Sequence, residues 1–255
     1  MRNLWTREEF ILALNLYLKI PFGKMHRRNP QIQSLAKLIN RSDNSVALRL
    51  VNFAACDPEL QARGIKGMQS GKEQCQPYWD EFANDKESLL YESERILAKL
   101  QNQTVEDKYK DVISDISDLT GEEKKRVVKT RVNQDVFRQI ILNIYDNKCA
   151  LTGIEHKDLL LASHIIPWKD NVQERLNPRN GICLSALYDR AFDKGLISFD
   201  KNYKTILSTC LKDYCTRDYY STFFGAIEGR KLQFVDDLYK PDPRFLEYHR
   251  DCILQ

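Results

Sequence analysis

Four side chains with usable chemistry follow one another between Cys149 and Asp200: His164, Asn180, Asp189 and Asp193. A histidine has an ordinary pKa near 6.5, so a neutral imidazole can take a proton at pH 7. Carboxylates are hard oxygen ligands for a magnesium or manganese ion. An amide can both donate and accept, which suits it to fixing a loop. A base, a divalent ion and a fixed loop are what hydrolysis of a phosphodiester asks for: an activated water, neutralised phosphate charge and help for the departing oxygen.

The elements that must hold these groups can be read from the same stretch. His164 lies in the apolar run LLLASHIIPW, which reads as a strand entering the core. A polar loop follows and ends at Asn180. The short run GICLSAL reads as a second strand, and Tyr188, Asp189 and Asp193 open a helix. Asp189 and Asp193 are four residues apart and so share one helix face.

The order and spacing of SHIIPW, NPRNG and DRAFDKGLI resemble the HNH (ββα-metal) endonuclease family, in its restriction-endonuclease-like branch. The resemblance runs from about Val128 to Phe199. It implies that His164 is the general base at the end of the first strand and that Asn180 pins the loop. Asp189 stands nine residues after Asn180, at the position that binds the metal in the family. Mg2+ or Mn2+ is the implied cofactor, with Asp193 as a second carboxylate. Two departures stand out. Ser163 precedes the base where many members carry another metal ligand. The two CxxC pairs of zinc-bearing members are reduced to Cys149, because Thr152, Ser185 and Tyr188 occupy the other positions. No structural zinc is expected.

At 255 residues the chain is long enough for one large or two ordinary domains. No apolar run reaches membrane-spanning length and no signal-peptide stretch opens the chain. Seven scattered cysteines fit a reducing compartment, so a cytoplasmic location is expected. The expected fold class is α+β: a helical N-terminal domain over 1–100, a linker over 101–125, and a C-terminal ββα-metal nuclease domain over 126–255.

Within the first domain, residues 4–19 read as a helix with a Thr6/Glu9 capping box. Two further short helices, joined by a polar turn near Ser42, Asp43 and Asn44, resemble a helix-turn-helix. The second would present Asn44, Ser45, Arg49 and Asn52 to solvent. From residue 24 to 72, nine lysines and arginines, Arg27, Arg28 and Arg41 among them, face only Asp43, Asp57 and Glu59. That balance suits phosphate contact. Residues 77–100 read as one long helix. Weak periodicity at Val112, Ile113 and Ile116 marks the linker. Arg131, beside the basic run KKRVVK, and Arg190 on the motif helix are further expected DNA contacts.

Past the motif, GLISFDKNYKTILS reads as a hairpin turning near Lys201 and Asn202. The aromatic-rich stretch from Tyr214 to Phe224 reads as core, and PDPRFLEYHRDCIL as a closing helix. His26, His156 and His249 read as surface or satisfied packing residues. The implied function is a metal-dependent endonuclease of restriction or defence type acting on double-stranded DNA. A homodimer is the arrangement expected for double-strand cleavage. The competing reading is a DNA-binding protein that keeps the fold without cleavage.

Overall fold

The computed structural model describes residues 4–113 and 119–255. The chain divides into two compact units, Met1–Val136 and Phe137–Gln255. Ile116 lies outside the described residues.

The first unit is helical. It comprises α1 (Arg7–Lys19), α2 (Pro30–Leu38), α3 (Asp43–Ala54), α4 (Pro58–Ala62), α5 (Lys72–Phe82), α6 (Lys86–Leu100), α7 (Val105–Lys108) and the start of α8 (Gly121–Ile144). The capping box forms as expected, with Thr6 and Glu9 exchanging side-chain bonds to each other's backbone N–H. Helix α1 packs against α2, α3, α5 and α6. It is therefore buried on nearly every side, Asn15 and Lys19 included. Asn29 caps α2 ahead of Pro30, and Ser42 caps α3 through the Ser45 N–H.

The long helix expected over 77–100 is two helices. Asp85 accepts from the Ser88 N–H and starts α6 afresh, so the chain turns at Asn84–Asp85. A carboxylate that can cap competes locally with helix continuation. Inside 101–125, a Thr104/Asp107 capping box opens α7. Val105, Tyr109 and Ile113 are buried there.

Three helices of this unit meet at a buried acid. Glu94 on α6 is 1 % exposed and pairs with Lys19 at 2.6 Å and Lys108 at 2.6 Å. Burial opposes its ionisation, but the two ammonium groups outweigh that and hold its carboxyl down at about 2.

In the second unit, β1 (Leu160–His164) and β2 (Gly181–Ser185) pair antiparallel, with His164 opposite Gly181. Helix α9 (Ala186–Asp193) follows directly and packs on both strands. This is the strand–loop–strand–helix order expected from the sequence. The C-terminal end of α8 covers the sheet near His164. A side chain at Gly181 would meet Ile141 at 2.5 Å and Phe137 at 2.7 Å, so the glycine of NPRNG lets α8 approach. The hairpin β3 (Ile197–Phe199) and β4 (Thr205–Leu207) turns where expected, with Asp200 accepting from the Asn202 and Lys204 N–H groups.

Two short helices, α10 (Thr209–Lys212) and α11 (Asp218–Phe223), and the closing α12 (Pro243–Cys252) complete the unit. The aromatic stretch expected to be core is divided. Tyr220 and Phe224 are buried, whereas Tyr214, Tyr219 and Phe223 are exposed. Tyr219 and Phe223 are one turn apart on the outward face of a six-residue helix, which can bury only one side.

His249 ties α12 to the rest of this unit. Its ring stacks on Phe192 at 3.7 Å, Nε2–H donates to the Phe192 carbonyl and Nδ1 accepts from Ser198 Oγ. Burial lowers its pKa to about 4. The folded protein therefore resists protonation that the unfolded chain accepts near 6.5. Stability from this group is complete above pH 6.5 and is lost as pH falls through 4, by about 3 kcal/mol in full. The raised carboxyls of Asp189 and Asp193 act with the opposite sign, so the comparison must isolate His249. Urea midpoints measured from pH 7.5 to 4.5 are expected to fall less steeply in His249→Gln than in wild type. Parallel curves would remove His249 from the acid sensitivity.

Candidate active site

Alternation along β1 places neighbouring side chains on opposite faces of the strand. Ser163 faces α9, where its hydroxyl donates to Asp189 Oδ1 at 2.6 Å. His164 faces α8 and stacks on Phe137, ring centroids 3.9 Å apart. The Trp168 ring meets the imidazole edge-on at 5.4 Å. His164 Nε2 lies 2.9 Å from the Arg175 carbonyl oxygen. A carbonyl only accepts, so Nε2 carries the proton and Nδ1 is left as the basic nitrogen. Desolvation lowers the pKa of His164, and the hydrogen bond to the Arg175 carbonyl offsets this only in part, so the ring is neutral at pH 7.

Asn180 is 1 % exposed and spends its whole amide on the loop after β1. Its Oδ1 accepts from the Ile166 N–H at 2.8 Å, and Nδ2 donates to the carbonyls of Ile166 and Glu174. Asn171 and Asn177 stitch the same loop, accepting from the Gln173 and Arg179 N–H groups. The loop that delivers the Arg175 carbonyl is thus held by three asparagines from one sixteen-residue stretch, 165–180.

Asp189 and Asp193 lie one turn apart on α9. Burial raises the Asp189 carboxyl, partly offset by the Ser163 hydrogen bond. Partial desolvation raises Asp193, and the Asp189 charge adds to it. Two hard oxygen donors that repel each other fit a divalent cation, which needs only one or two carboxylates when water and phosphate supply the rest. Among the described residues, no three His, Cys, Asp or Glu side chains gather into a metal-binding group. Ser163 and Asp189 are brought together, and Asp193 lies near Asp189. His164 is presented on the other face of the strand.

The four positions of the reduced CxxC pattern are satisfied by hydrogen bonds. Cys149 Sγ accepts from the Ser185 N–H, Thr152 Oγ1 from the Ile154 N–H, and Tyr188 donates to the Phe223 carbonyl.

The expected DNA contacts of the first unit separate into two groups. Arg27, Arg28 and Asn44 are exposed, and Ser45 is half-buried at the start of α3. Arg131 and Arg190 are exposed on α8 and α9. Arg41 instead pairs with Glu9 and donates to the Leu4 carbonyl. Arg49 and Asn52, expected at solvent, are buried. The Arg49 guanidinium lies over the rings of Trp5 at 4.7 Å and Phe10 at 4.6 Å, and donates to Gln74. Three residues after Val46 and four before Phe53, it falls on the core face of α3. Its stem and planar head are compatible with aromatic packing there. Arg49→Ala is accordingly expected to lower the stability of the helical unit by roughly 2 kcal/mol. An unchanged urea midpoint would return Arg49 to the list of free DNA contacts.

Phe137, Trp168 and Arg175 were not singled out by the sequence. The PW following SHII was the available signal for Trp168. No local pattern marks a carbonyl eleven residues after a histidine as its partner.

No helix among the described residues is long and apolar enough to cross a membrane. No curated protein matches the chain. Residues 149–200, which run from Cys149 through β1, β2 and α9 to the end of β3, match the family described as HNH endonuclease. Across that segment the chain is similar to the HNH endonuclease family.

Proposed function

We propose that the chain is a metal-dependent DNA endonuclease of restriction or defence type, with His164 as general base. The observation that supports this most is the tautomer set at His164. A neutral imidazole with Nε2–H given to the Arg175 carbonyl leaves Nδ1 to accept a proton from water. Asn180 holds the loop that presents that carbonyl. Asp189, with Asp193, would hold Mg2+ or Mn2+, which supplies Lewis-acid stabilisation of charge at the phosphate. Arg190, exposed on the same helix, would meet the backbone of the DNA. In the helical unit, Arg131, the exposed Arg27, Arg28 and Asn44 and the half-buried Ser45 would supply further DNA contacts, and cutting both strands would call for a second copy of the chain.

Incubation of the full chain with supercoiled plasmids, methylated and unmethylated, in Mg2+, Mn2+ or chelator tests the reading. Cleavage is expected only with a divalent ion. Asp189→Ala is expected to raise the ion concentration needed by at least about tenfold, and Asp193→Ala by less. Equal ion requirements in Asp189→Ala and wild type would take Asp189 out of the metal site. The second reading, a DNA-binding protein without cleavage, draws on Ser163 occupying Asp189 and on the absence of a three-member ligand group among the described residues. DNA binding by the intact chain with no cleavage in any ion would favour it.

A further inference from the structure

The loop between β1 and β2 does more than cross over. Arg175 acts on His164 twice. Its backbone carbonyl takes the Nε2–H. Its side chain reaches back along the loop, where Nε donates to the Trp168 carbonyl at 2.6 Å and the guanidinium lies 5.1 Å from the Trp168 ring. Trp168 in turn stands edge-on against the imidazole, and the Phe137 ring stacks on it. The imidazole is thus bounded by two aromatic rings and one carbonyl. The carbonyl and one of the rings are fixed to each other by a single arginine side chain.

We propose that Arg175 and Trp168 are positioning residues for His164: the arginine fork locks the tryptophan and the loop together, and the pair holds the imidazole in one orientation and one tautomer. The inference rests on the reading of His164 as the base. Its physical logic is that of any general base held through its second nitrogen. A neutral imidazole left unheld exchanges between the Nε2–H and Nδ1–H tautomers, and in the second form it cannot take the proton from water at Nδ1. A hydrogen-bond acceptor on Nε2 disfavours that tautomer, and the acceptor must itself be rigid to do so. Arginine suits the task because its planar head can stack on an indole and donate to a carbonyl at once. Lysine at the same place lacks the planar head that stacks on the ring.

The test uses the full chain, labelled with 15N, and long-range proton–nitrogen spectra of its histidine rings. Disappearance of one ring in His164→Gln assigns His164. Wild type is expected to show the neutral Nε2–H form alone at pH 7.5. Arg175→Met is expected to show a mixture of tautomers and to cut plasmid roughly 10- to 100-fold more slowly, with KM within about threefold of wild type. Trp168→Leu is expected to loosen the ring likewise, and Trp168→Phe to keep the single tautomer. The two tryptophan variants decide the matter if Arg175→Met fails to fold. Folded Arg175→Met and Trp168→Leu with an unaltered His164 tautomer would overturn the proposal. Altered ring signals in a protein that cuts no DNA in its wild-type form would support the clamp and sink the nuclease reading, so the two can fail separately.

Discussion

Replacing His164 with alanine is expected to slow plasmid cleavage by about a thousandfold, the middle of the range that positioned general bases contribute. The structure adds a condition to that expectation. The imidazole stacks on Phe137 and meets Trp168 edge-on, so alanine also removes packing and some stability with it. His164→Gln separates the two effects. A glutamine amide can still donate toward the Arg175 carbonyl and fill part of the space, but it cannot take a proton from water. Single-turnover cleavage and urea unfolding of both variants measure this. Both are expected to lose cleavage, with His164→Gln the closer to wild-type stability. A folded His164→Gln that cuts at the wild-type rate would exclude the base.

In the helical unit, Glu94→Ala is expected to cost about 3–5 kcal/mol, because it leaves Lys19 and Lys108 without their shared buried partner. The lowered pKa of Glu94 gives a figure of the same size. From 4.5 in the unfolded chain to about 2 in the folded one, the group contributes about 3 kcal/mol. That stability is complete above pH 4.5 and is lost as pH falls through 2. Asn15 and Ser93 hydrogen-bond to each other beside this acid, so the polar cluster joins α1 to α6. A midpoint in urea at pH 7 unchanged by Glu94→Ala would show that α1, α6 and α7 hold together by apolar packing alone.

Where local chemistry decided the outcome, the sequence was legible. Thr6 with Glu9, Asp242 before Pro243, and the Asp200 turn each settle an element end by a bond within a few residues. The β1–loop–β2–α9 order was legible for the same reason, since SHII, NPRNG and DRAFD each mark one element. Arg49 was not. Its charge argued for solvent, while its position one turn from Val46 and Phe53 argued for the core, and stacking on Trp5 decided between them. The break at Asp85 was a capping competition that helical periodicity does not register. Trp168 and Arg175 were illegible for a deeper reason. Their role depends on how a sixteen-residue loop folds back on itself, and three asparagines set that path through backbone bonds that leave no periodic trace.

The same geometry fixes what cleavage must look like against pH. His164 is half-buried and its desolvation disfavours the charged ring, so its protonation falls below the ordinary histidine value near 6.5. Asp189 and Asp193 also titrate in acid, and only the histidine contribution disappears with His164. The most direct measurement is the rate of plasmid nicking by the full chain in Mn2+ from pH 5 to 9, beside the residual rate of His164→Gln. Divalent-dependent nicking is expected, with an acid limb below pH 6.5 that is absent from the variant. Folded, DNA-bound wild-type protein that nicks nothing, or a limb identical in both proteins, would contradict it.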